Sequence, residues 1–144
     1  MAKHTVLAAS LALSCIAGSH EGGAARPTEP LVVNAEESLP LRIGESAKAE
    51  EAKLTITFQE VSSDSRCPKD VNCIQAGEAV VVLALTSEDG KTTLLELAVP
   101  PGGASPARDV NGLRIAVVEL DPQTESTKSI DPASYVATIR VSPS

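Results

Sequence analysis

The chain has 144 residues, enough for one domain, and its 19 acidic and 12 basic side chains give a formal charge of −7. That balance argues against a nucleic-acid partner, whose phosphates call for clustered Lys and Arg. With one Phe, one Tyr and no Trp, the core must be aliphatic, and the exposed rings that stack on sugars or bases are scarce.

The chain opens with MAKHTVLAASLALSCIAGSHEGG, a basic start at Lys3, an apolar run from Val6 to Leu13 and then small residues. Residues 1–14 read as a secretory signal peptide, too short for a permanent membrane helix of about 20 apolar residues. Leu13-Ser14-Cys15 resembles a bacterial lipobox, which implies that Cys15 is lipidated and becomes the mature N-terminus. Ala12 stands where a lipobox usually has a larger aliphatic residue, so cleavage near Ala17-Gly18-Ser19, releasing a secreted protein, is the competing outcome. Three cysteines leave one odd, and an acylated Cys15 accounts for it. Residues 15–37 are dominated by Gly, Ala, Pro and Glu without a hydrophobic period. They are expected to form a flexible tether about 25 Å from end to end.

Residues 38–144 carry a period of two, the mark of strands. LPLRI and ESAKAE flank Gly44; the second is a weak strand, and SAKAEEAKL is helical on propensity alone. In KLTITFQEV, Leu54, Ile56 and Phe58 alternate with polar residues, and Val61 breaks the parity, so a bulge is expected near Gln59-Glu60. EAVVVLALT is apolar on both faces, as an interior strand would be. Asp89-Gly90 predicts a primed-turn hairpin into TTLLELAVP, with Leu95, Leu97 and Val99 on one side. PPGGASPARDVNG reads as a loop, followed by the strands LRIAVVEL and YVATIRVS with DPQTESTKSIDPAS between them. The expected fold is all-β: a small antiparallel β-sandwich or barrel of about six to eight short strands with one disulfide-closed loop. Its expected core includes Leu54, Ile56, Phe58, Leu95, Leu97, Ile115 and Ile139.

DSRCPKDVNCIQAG, residues 64–77, is the most distinctive stretch. It resembles the signature of a family of uncharacterised small bacterial secreted proteins and lipoproteins, Asp-Ser-Arg-Cys-Pro, four variable residues, Cys, an aliphatic, Trp, Ala-Gly. The likeness extends through LRIGESAKAE, LTITFQEV, LRIAVVELDP and YVATIRV, over roughly residues 39 to 142. The resemblance implies an exported protein and no particular activity. Gln75 stands where the family carries Trp, so any surface formed by that ring is altered here.

Zinc at Cys67 and Cys73 would need two more soft or imidazole ligands, but His4 lies in the leader and His20 in the tether. No metal or other cofactor is expected. The spacing is not that of a Cys-x-x-Cys redox pair, and the domain has no His to activate a nucleophilic thiol. An exported pair closing a short loop reads as a structural disulfide, worth about 2 kcal/mol. Asp64-Ser65 suits an Asx-type turn. Arg66, close to Asp64, Asp70 and Glu78, is expected to hold the loop through an ion pair and bonds to carbonyls. The sharper alternative is a recognition loop with Arg66 and Lys69 at its tip. Asp64, Asp70, Asn72 and Glu78 have calcium-ligand chemistry but not the spacing of an EF-hand.

These features favour a non-catalytic lipoprotein of the bacterial cell envelope, on its periplasmic or outer-surface side. It would be a binding or structural module, held to the membrane by its N-terminal lipid and meeting a protein partner. The alternative is an exported protease inhibitor that presents the Cys67–Cys73 loop with Arg66-Cys67 as its reactive bond. An enzyme is disfavoured, because acid–base hydrolysis needs carboxylates paired in a cleft and the acids here are scattered.

Overall fold

The computed structural model describes residues 30–34 and 36–144. The expected signal peptide, Cys15 and the tether as far as residue 29 lie outside the described residues. Nine strands follow in order: β1 (Leu31–Val32), β2 (Glu37–Arg42), β3 (Ser46–Ala49), β4 (Leu54–Asp64), β5 (Ala79–Ser87), β6 (Thr92–Val99), β7 (Arg108–Val110), β8 (Leu113–Asp121) and β9 (Val136–Pro143). They form a five-stranded sheet ordered β1-β3-β4-β5-β6 and a four-stranded sheet ordered β2-β9-β8-β7. The fold is thus all-β and sandwich-like, antiparallel except for the parallel pair β1–β3.

Alternation places Leu54, Ile56 and Phe58 of β4 inward, where all three are buried with Leu97, Ile115 and Ile139. Leu95 is half-buried against the same cluster. Burying this aliphatic set supplies the main driving force for folding, since almost no aromatic area is available. The register of β4 against β5 shifts between Phe58 and Glu60, at the expected bulge, and again between Val61 and Ser63.

Four expectations change. SAKAEEAKL is not helical: Ala47 and Ala49 of β3 are buried against β4, so packing overrides propensity. The stretch read as a loop before Leu113 contains β7, and Asn111 and Gly112 turn it into β8 with φ of 52° and 79°. At Asp89-Gly90 only Gly90 has a positive φ, 82°, and a turn closed by Gly90 N–H on the Ser87 carbonyl (2.9 Å) replaces the primed one. Finally, among the described residues strand pairing begins at Leu31, ahead of the expected domain boundary at 38. Leu31 and Val32 pair with Ala47 and Lys48, and the buried Val33 donates its N–H to the Lys48 carbonyl (3.0 Å).

Candidate functional site

The long strand β4 delivers Asp64 to one end of the sandwich, where the chain leaves the sheet and returns through Gly77 into β5. Its two arms are zipped together. Ser65 donates both its N–H (2.9 Å) and its hydroxyl (3.0 Å) to the Glu78 carbonyl, and Cys67 N–H donates to the Ala76 carbonyl (2.7 Å). The approach is so close that a Cβ on Gly77, whose φ is +67°, would lie 1.8 Å from the Ser65 carbonyl oxygen. Only glycine fits there. Further out, Cys67 and Cys73 form the expected disulfide, with Cα atoms 5.9 Å apart.

Arg66 occupies the base of this loop. Its guanidinium grips Asp64 with two parallel bonds, Nε to Oδ1 (2.8 Å) and Nη2 to Oδ2 (2.7 Å). It also donates to the carbonyls of Leu120 (2.8 Å) and Pro122 (2.9 Å) at the end of β8. Tyr135 Oη donates to Asp64 Oδ2 (2.9 Å), and Thr124 Oγ1 donates to the Arg66 carbonyl (3.1 Å). A fork of this shape suits guanidinium, and a buried cation needs each of these partners. Burial pushes the Asp64 carboxyl up, but the bonds from Arg66 and Tyr135 outweigh it and hold it below the usual carboxylate range. Burial, then the Asp64 carboxylate, pushes the Tyr135 phenol up to about 12.

This arrangement corrects the alternative that put Arg66 at the loop tip. Arg66 is only 3% exposed, anchored at the base and pointing inward. Its side chain therefore has no access to a protease pocket, and Arg66-Cys67 is not presented as a reactive bond. Glu78 is exposed, and it takes part in the zip through its backbone.

The rest of the loop leans on residues 122–135. Lys69 donates its N–H to the Thr124 carbonyl (3.0 Å), and its ammonium lies 2.7 Å from Glu125, which also pairs with Lys128 at 2.7 Å. Those two ammonium groups hold Glu125 below the usual carboxylate range. Asp70 accepts from Ser126, by its N–H (2.9 Å) and by its hydroxyl. Asp64 and Asp70 thus serve different partners, and among the described residues no three carboxylates converge as calcium would require. The clefts beside this network measure about 240 and 270 Å³, smaller than the roughly 300–1,000 Å³ of typical small-molecule sites.

The tip differs sharply from the base. Asn72, Ile74, Gln75 and Ala76 are exposed, Val71 is 44% exposed, and Ile74 has a relative exposure of 106%. Comparison with protein-family models, with curated proteins and with solved structures finds no match. Thr124, Glu125, Ser126 and Tyr135 are missing from the sequence-derived site, where DPQTESTKSIDPAS read as a plain connector and Tyr135 as the start of the strand YVATIRVS. Their partners lie more than 50 residues away in the chain. The one local hint is Tyr135 itself, the sole phenol, whose hydroxyl must find a partner if its ring is buried.

Proposed function

We propose that this protein is a non-catalytic module of the bacterial cell envelope that binds a protein partner through residues 71–76, tethered by a lipid on Cys15. The observation carrying this reading is Ile74, a large aliphatic side chain held wholly in water on a loop fixed at its base. A mobile loop could fold such a side chain back, whereas a rigid one keeps it available as a preorganised anchor for a partner's pocket. The titratable groups support a non-catalytic role, since Asp64, Arg66, Asp70 and Glu125 are each engaged in holding one part of the protein to another. The modest clefts favour a protein over a small ligand.

Two measurements test the reading. Intact mass of the mature protein is expected to show a start at an acylated Cys15, with membrane association lost in Cys15→Ser. A photo-crosslinker at exposed Gln75, beside Ile74, is expected to capture one envelope protein saturably, while the same group at exposed Arg108 does not. A soluble protein beginning at His20 would remove the anchor. Absence of a tip-specific product would remove the binding role. Titration against secreted serine and cysteine proteases separates this reading from the inhibitor, which predicts stoichiometric loss of protease activity.

A further inference from the structure

Four strands bound the two sheets, and they are not alike. β1 has two residues and β7 three, too short to template another chain. β2 carries Pro40, Glu37 and Arg42, the proline and charges that discourage edge pairing. β6 is far less protected. Its eight residues, TTLLELAV, contain no proline and a single charge at Glu96, and they pair with β5 without a bulge.

The ladder also fixes which groups of β6 are free. Ser87 N–H donates to the Lys91 carbonyl (2.9 Å), making Ser87–Lys91 a hydrogen-bonded pair. Such pairs alternate along antiparallel strands. Thr93, Leu95, Leu97 and Val99 therefore bond to β5, and Thr92, Leu94, Glu96 and Ala98 turn their N–H and C=O groups outward. Among the described residues no other strand takes them. Leu94 sits mid-strand on the same edge and is 57% exposed.

We infer that β6 is a pairing edge for a second copy of this chain, joined antiparallel about a two-fold axis at Leu94. The self-pairing is complementary in sequence. With Leu94 opposite its mate, Thr92 of each copy faces Glu96 of the other, so a hydroxyl donor meets the lone carboxylate. The register that would set Glu96 against Glu96 is avoided. Outward-facing groups meet outward-facing groups, each exposed Leu94 is covered by the other, and the two five-stranded sheets become continuous. A partner's extended peptide would satisfy the backbone equally but would have to supply this complementarity itself.

A ladder of this length is a small contact compared with the ~1,600 Å² of standard stable interfaces, so association is expected in the range of roughly 10 µM to 1 mM. Sedimentation equilibrium across that range is expected to show the mass rising towards a dimer. Leu94→Pro removes an outward N–H without touching the β5 ladder and is expected to stay monomeric, as is Leu94→Lys, with circular dichroism checking that both are folded. Under mild oxidation Leu94→Cys is expected to form a cross-linked dimer, and Val71→Cys on the distant tip loop is not. A wild-type monomer at 1 mM would overturn the inference. So would a dimer unaffected by both Leu94→Pro and Leu94→Lys, or equal cross-linking from Val71→Cys.

Discussion

From Asp64 to Cys67, and again from Ala76 to Glu78, the loop's polar groups bond to its opposite arm or to the end of β8. From Val71 to Gln75, by contrast, apolar side chains face water, and the Asn72 and Gln75 side chains make no hydrogen bond among the described residues. The contrast teaches that order at the tip is borrowed. The tip makes few contacts of its own, so its shape depends on the guanidinium clamp, the Gly77 crossing and the disulfide beneath it. Changes at the base are expected to register as stability, and changes at the tip as recognition.

The largest effect is expected beneath both regions. Phe58→Ala empties the largest fully buried side chain of the core and is expected to cost about 3–5 kcal/mol in urea denaturation. A loss under about 1 kcal/mol would mean that the sandwich does not depend on its only phenyl ring. At the base, Arg66→Met leaves Asp64 without its cation, the Pro122 carbonyl without its side-chain donor and Leu120 with only the 3.4 Å bond from Gln123, an expected cost of about 3 kcal/mol. Removing the disulfide with paired Cys67→Ser and Cys73→Ser changes is expected to cost about 2 kcal/mol, with hydrogen exchange rising at the tip before the base.

The clamp also has a pH signature. Asp64 has a depressed pKa, so its contribution is complete above the unfolded value near ~4 and fades as pH falls through the lower folded value. Tyr135 has a raised pKa, so its contribution is complete below ~10 and is lost as pH climbs through about 12. Tyr135 is the only tyrosine and there is no tryptophan, so phenolate absorbance reports this one group. Asp64→Asn is expected to lower its midpoint while leaving it above ~10, since burial, the larger cause, remains; a wild-type midpoint already at ~10 would disconnect Tyr135 from the clamp. The smallest change is expected at the tip: Ile74→Ala leaves stability within about 0.5 kcal/mol while abolishing tip-directed cross-linking. If instead it destabilises the fold, the tip is structural.

The strands were legible because their information is local. Leu54, Ile56 and Phe58 declare a buried face by alternation, and Val61 declares the bulge by breaking it. β1 and β7 escaped because two or three residues carry no period, and β3 was legible only as a weak strand because its alanines favour helix until β4 packs on them. Within the loop, the disulfide could be read from Cys67 and Cys73 by eliminating other thiol chemistry. Arg66 was legible as the residue that holds the loop through an ion pair and carbonyls, but not its partners Leu120 and Pro122, which lie more than 50 residues away in the chain. Charge and spacing fit both a buried clamp and an exposed hook.

The docking of β1 has a mechanical consequence. Any tension applied through the residues before Pro30 reaches Leu31–Val33 first, and these are held by a two-residue parallel pairing, one further backbone bond and one buried valine. The next strand loaded, β2, is joined to β9 along six residues and buries Leu41 in the core. Leu31–Val33 are therefore expected to peel away at low force, adding slack while both sheets stay intact, so that this N-terminal edge acts as a shock absorber for the sandwich.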